Sequence, residues 1–146
     1  MSRSNINGRD NQRQVEPDWF TGSVWLKSVM SSSDQDIYHV HFEDGARTKL
    51  HRHNGNQVLI VTAGTGSLQT FEQSDQDSSK IQRTDTTDLT VGDIVHIPAG
   101  TLHTHGSTDR TATFSHIALN IIPKDDSTYK TTWYESDFES SIFKII

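Results

Sequence analysis

From Val24 to Pro123 the apolar residues come in runs of a few, each cut off by Gly, Asp, Asn or Pro, and no stretch holds a helical period for long. A chain written this way forms short strands joined by turns, and a β-sandwich or barrel is the architecture that buries them. Residues 37–42 alternate, which puts Tyr38, Val40 and Phe42 on one face and Ile37, His39 and His41 on the other. Glu43-Asp44-Gly45 turns the chain, 50–53 reads as a short strand, Asn54-Gly55-Asn56 as a turn and 57–63 as the next strand. Val58-Leu59-Ile60-Val61 is apolar on both faces. That strand is expected to be covered twice, by a second sheet, the N-terminal segment or a second subunit. Residues 67–71 and 80–84 read as a hairpin around a polar loop, 94–97 as a strand stopped by Pro98-Ala99-Gly100, and 113–122 as the last strand.

The two ends differ from this body. Residues 1–16 are polar and read as a flexible tail, and folded structure is expected from Asp18-Trp19-Phe20, too aromatic to be solvated. The expected barrel covers 17–123. In 124–146, Tyr134, Phe138, Ile142 and Ile145 recur at helical intervals behind Ser136-Asp137, which predicts a short C-terminal amphipathic helix.

Composition then removes function classes. Ile, Leu, Val and Phe make up 33 of 146 residues, just above the roughly 20% that signals disorder, so the chain has enough apolar side chains for one domain. Without cysteine there is no disulfide, thiol nucleophile or Cys-ligated metal. A net charge of −6 disfavours nucleic acid and anionic membranes as partners. No export signal or membrane-spanning run is apparent, so a cytoplasmic location is expected. The feature left over is histidine: eight of them, all between His39 and His116.

Two of these carry the main chemical signal, Gly45-x5-His51-x-His53-x3-Gln57-x6-Gly64. Positions i and i+2 of a strand share a face, so His51 and His53 project together, and the turn at Asn54 folds Gln57 back beside them. Two imidazoles and an amide oxygen make most of a metal site, although paired histidines also occur incidentally. Downstream, Gly92-x5-Pro98-x-Gly100-x2-His103 places another histidine just after a strand stop.

These two blocks resemble the paired motifs of the cupins, in order and spacing. The resemblance implies an all-β double-stranded β-helix, or jelly-roll barrel, with a divalent metal held by His51, His53, Gln57 and His103. Further likeness in Asp18-Trp19-Phe20-Thr21-Gly22, Phe42-Glu43-Asp44-Gly45-Ala46-Arg47, 57–64 and His116-Ile117-Ala118-Leu119 points to carboxymuconolactone-decarboxylase-like bacterial cupins. That subgroup includes manganese-dependent hydroxynitrile lyases, which implies manganese first, with iron, nickel, zinc or copper as alternatives. Gln57 stands where most cupins have a carboxylate, so a dication there would keep its full +2 charge and polarise bound oxygen more strongly. Ser107 replaces the usual final Asn of the second motif.

His105, two residues past His103, is a candidate general base. Phe114, His116, Ala118 and Asn120 share a strand face, and the resemblance places His116, Asn120, Tyr38 and Val40 around the cavity, Tyr38 and Asn120 being set to orient a substrate oxygen. His39 and His41 are expected at the surface, and His96 has no assignment. The function these features imply is a metal-dependent, lyase-like enzyme acting on a small molecule. A metal-dependent oxygenase and a non-catalytic small-ligand-binding cupin are the alternatives, and a homodimer is expected.

Overall fold

The computed structural model describes residues 1–8, 12–15, 17–110, 112–137 and 142–145, and the described residues contain strands but no α-helix. None therefore forms a helix long and apolar enough to cross a membrane. Thirteen strands follow in chain order: β1 (Gln12–Gln14), β2 (Phe20–Thr21), β3 (Val24–Ser31), β4 (Gln35–Phe42), β5 (Arg47–Thr48), β6 (His51–His53), β7 (Gln57–Gln73), β8 (Ile81–Thr90), β9 (Ile94–Ile97), β10 (Leu102–Ser107), β11 (Phe114–Ile121), β12 (Thr131–Asp137) and β13 (Ile142–Ile145).

One antiparallel sheet runs β1-β3-β4-β11-β7-β9, and a second gathers β2, β5, β10, β6, β12 and β8 around the far half of β7. The long strand β7 belongs to both. Gln57 to Gly64 pair with β11, and Gly66 to Phe71 with β10. Sequence reading split this strand in two. The chain instead bends through Gly64, whose φ of 72° suits glycine, and a Cβ there would meet the Thr113 carbonyl oxygen at 2.0 Å. A curled all-β jelly roll results, in line with the fold the motifs implied.

The inner faces of the two sheets enclose the main core, built on Phe20, Val24, Val40, Phe42, Leu59, Val61, Leu68, Leu89, Ile97 and Phe114. Leu50, Phe71, Ile81, Leu102 and Tyr134 form a second cluster. Because strand residues alternate, Leu50 and Leu102 send their neighbours His51 and His103 to the opposite, inner side. Burying those apolar residues thus aims the histidines at the barrel interior.

Both ends depart from the sequence reading. The predicted C-terminal helix is not seen among the described residues: Tyr134 lies in β12, Ile142 and Ile145 lie in β13, and the two strands pair antiparallel. Phe138 lies outside the described residues. The helical spacing is a local signal, and it competes with strand pairing. The open edge of β6 decides between them, pairing Thr131 with His53 and Trp133 with His51. At the other end, β1 pairs with β3, and Lys27 donates through Nζ to the carbonyls of Asn5 and Gly8. Main-chain pairing needs no apolar side chains, so a polar composition does not prevent it.

Candidate metal centre and active site

His51 and His103 are direct cross-strand partners on β6 and β10, and His53 lies one pleat further along β6. Each of the three offers a ring nitrogen, and these atoms all lie within 4.8 Å of one another. All three side chains are buried. In each ring Nδ1 is already engaged, with the Lys49 carbonyl at 2.8 Å, the Thr131 hydroxyl at 2.9 Å and the Thr101 carbonyl at 2.8 Å for His51, His53 and His103 respectively. A carbonyl only accepts, so Nδ1 of His51 and His103 carries the proton and Nε2 keeps its lone pair. This is the arrangement that metal-binding histidines use to fix tautomer and orientation.

Gln57 opens β7 on the opposite sheet. Its Nε2 donates to Asn120 Oδ1 at 2.9 Å, while its Oε1 is buried without a hydrogen-bond partner among the described residues, as are Nε2 of His53 and of His103. Unpartnered buried polar atoms are rare and costly. Here an amide oxygen and two imidazole nitrogens remain unsatisfied, and a divalent cation would satisfy all of them at once. The donors suit a borderline transition metal: three imidazoles and one amide oxygen, none charged.

Burial keeps the imidazoles neutral, as a metal ligand must be. Desolvation holds His53 at about 3 and His103 at about 4. His51 lies well below its ordinary range, from burial first and then its two neighbours. His105 and His116 form a second buried pair beside this cluster, His116 Nε2 lying 3.1 Å from His105 Nδ1. Burial also depresses both, His116 to about 3. Since one ring donates to the other, the state of His116 sets the tautomer of His105 and hence what its Nε2 offers the cavity.

All of these groups except His103, which lies behind His51, border a cavity of about 380 Å³. Tyr38, Val40, Gln57, His116, Ala118 and Asn120 come from the first sheet and His51, His53 and His105 from the second. Burial and then the neighbouring Asp36 raise the Tyr38 phenol, with Arg13 pulling the other way. The sequence reading did not place Trp133, Tyr129, Trp19 or Arg13 at the cavity, which all four line. Trp133 packs on His51 with ring centroids 4.4 Å apart and stacks on Trp19 at 5.7 Å, and Tyr129 covers His53 at 4.8 Å. The aromatic run Asp18-Trp19-Phe20 was a usable signal. Nothing local marked Trp133.

The other three histidines lie elsewhere. His39 and His41 are half-buried on the outer face, near Thr62 Oγ1 at 3.4 Å and Ser115 Oγ at 2.6 Å, and His96 is exposed on β9. Behind the site, half-buried Arg47 donates to Ser67, Thr104 and the Ser107 carbonyl, and desolvation lowers it to about 10.

Comparison with known proteins agrees with this architecture. Residues 38–117 match the family described as "Cupin domain". An (R)-mandelonitrile lyase from Granulicella tundricola is 34% identical over 105 residues, which span 70% of this chain and 71% of that protein. A cupin-like protein from Thermotoga maritima superposes with a TM-score of 0.66 at 28% identity, over 97% of this chain and 92% of that one. A cupin 2 conserved barrel domain protein from Rhodopseudomonas palustris shares the fold alone, at 15% identity and a TM-score of 0.60, over 82% of this chain and 74% of that one.

Proposed function

The chain belongs to the cupin family, and from that premise we propose that it is a metal-dependent lyase that cleaves or forms the carbon–carbon bond of a small hydroxynitrile-type substrate. The observation that carries the reading is the pairing of two sets of groups at one cavity floor. Three inward Nε2 atoms with Gln57 Oε1 suit a divalent cation, manganese first, and the His105–His116 pair stands beside them. When bound, the cation supplies a Lewis acid for a substrate hydroxyl or carbonyl oxygen.

The protein's own groups do the rest. With His105 Nδ1–H donating to His116 Nε2, His105 Nε2 is an acceptor and takes the substrate hydroxyl proton. The oxygen lone pair then closes the carbonyl as the bond to the nitrile carbon breaks, and the departing cyanide takes up the proton held on His105. Atoms and charge balance, and His105 returns to its starting state. Its depressed basicity favours prompt return of the proton. Tyr38 and Asn120 lie on the same wall and orient the substrate oxygen, while Trp19, Phe20 and Trp133 supply an apolar surface for an aromatic group.

The test is cleavage of mandelonitrile by manganese-loaded protein, beside metal-free protein and the His51→Ala variant. Turnover is expected only in the first. No turnover above the metal-free level refutes this reaction, and failure of the native chain to take up any divalent metal refutes the centre as well. A cytoplasmic location and a homodimer complete the proposal. The dimer is favoured by the outer sheet face, where Val58, Ile60 and Ile117 are half-buried and Ile94 is 69% exposed.

A further inference from the structure

Asn120 sits directly opposite Gln57 in the β11–β7 register, and the two side chains meet on the cavity side, Gln57 Nε2 donating to Asn120 Oδ1 at 2.9 Å. A glutamine has two chemically opposite ends. Only the oxygen has a lone pair for a cation, while the NH2 end presents protons that repel one. A carboxylate has no such problem, since either oxygen serves. Wherever an amide replaces a carboxylate as a ligand, something must choose which end faces the centre.

In this chain the choice falls to residue 120. The Gln57 side chain is buried, its NH2 is bonded to Asn120, and its Oε1 is left without a partner beside two equally unpartnered histidine nitrogens. We propose that Asn120 is a positioning residue whose Oδ1 holds the Gln57 amide so that its oxygen, rather than its NH2, faces the metal. This rests on the metal-centre reading above, but not on the lyase reaction.

Both amides can turn round together, in which case Asn120 donates to Gln57 Oε1 and Gln57 aims N–H at the histidines. An aspartate at 120 accepts only, so it permits the first arrangement alone. A glutamate at 57 presents oxygen either way, so it needs no acceptor at 120. These two facts make the proposal testable without any turnover.

The experiment titrates Co2+ into the metal-stripped full-length protein by calorimetry, with the visible spectrum of the bound ion as a second readout. Four variants are compared with the native chain: Asn120→Ala, Asn120→Asp, Gln57→Glu, and the Gln57→Glu/Asn120→Ala pair. Asn120→Leu replaces the alanine variants in both backgrounds if they do not fold. Asn120→Ala is expected to weaken binding about 10- to 100-fold, the usual loss when the partner of a ligand is removed. Asn120→Asp is expected to bind as tightly as the native chain or tighter, with an unchanged spectrum. In the Gln57→Glu background, Asn120→Ala is expected to cost less than about threefold, because the need for orientation has gone. Equal losses in the two backgrounds, or an Asn120→Asp variant as weak as the alanine one, overturn the proposal and leave the metal centre standing. If the native chain binds no Co2+, the metal-centre reading falls and the proposal with it.

Discussion

Five histidines, His51, His53, His103, His105 and His116, are buried in one block and all held below their ordinary range, mainly by desolvation. The perturbation that exposes this is mild acid on metal-free protein. In the unfolded chain each imidazole titrates near about 6.5, whereas the folded values that can be given lie at about 3 to 4. Below pH 6.5 the unfolded state therefore binds protons that the folded state refuses, and stability rises with pH. The stabilisation is complete above the unfolded value and is lost as pH falls toward the folded ones. Each histidine kept neutral costs little at pH 7 and on the order of 1 kcal/mol at pH 5.5, so five together remove roughly 5 kcal/mol over that interval. That is comparable to the whole stability of an ordinary domain, about 5 to 15 kcal/mol.

The assay is urea unfolding in chelator between pH 7.5 and 5, followed by the fluorescence of Trp133, which packs on His51, and of its neighbour Trp19. The expected slope near pH 5.5 corresponds to uptake of between four and five protons on unfolding, about 6 kcal/mol per pH unit. His116→Asn is expected to lower that uptake by one. Saturating metal is expected to lift the curve by a constant, since the folded ligands are already neutral and no protons compete for them. Equal stability at pH 7.5 and 5.5, or uptake of fewer than two protons, refutes the claim that these rings are buried in the neutral state.

Two further outcomes follow from the fold and its outer face. Gly64→Ala and Gly100→Ala both place a side chain at positive φ, but the new Cβ at 64 meets the Thr113 carbonyl at 2.0 Å and the one at 100 meets nothing within 4 Å. Gly100→Ala is expected to cost about 1–2 kcal/mol in urea unfolding and Gly64→Ala clearly more, and equal costs refute the role given to the bend in β7. The native chain is expected to sediment as a dimer and Ile94→Glu to shift it to monomer, and a native monomer at tens of micromolar refutes the pairing.

What was readable in the sequence was what strand alternation alone determines. His51 and His53 had to share a face once 50–53 was a strand, and a turn at Asn54 had to return Gln57 beside them. The His105–His116 contact was readable only in part. Alternation turned both inward, but their meeting depends on two sheets closing face to face, a relation no local window contains. The C-terminal strand pair was misread for a related reason. Its spacing favoured a helix, and the deciding partner, the edge of β6, lies about 80 residues away in sequence. Pairing of β1 with β3 left no trace in polar side chains because it runs through the main chain, the strand itself staying exposed.

Floor and walls of the cavity therefore come from different parts of the chain. His51, His53, Gln57, His103, His105 and His116 all fall within 38–117, the segment that matches the cupin family. Most of the wall falls outside it: Arg13, Val15, Trp19 and Phe20 on one side of the sequence, Tyr129, Thr131 and Trp133 on the other. The wall also touches the floor, since Trp133 packs on His51, Tyr129 covers His53 and Thr131 holds His53 through Nδ1. A floor of uncharged donors tolerates many substrates with a polarisable oxygen, and selection among them falls to the shape and charge of what surrounds it. Arg13 and Asp36 are the only charged residues among the described lining residues, so beyond the cation's own charge any charge preference is set on that wall. It follows that likeness to a mandelonitrile lyase is stronger evidence for the chemistry of this centre than for the substituent its substrate carries. A substrate search should therefore vary that substituent while keeping the hydroxyl or carbonyl oxygen fixed.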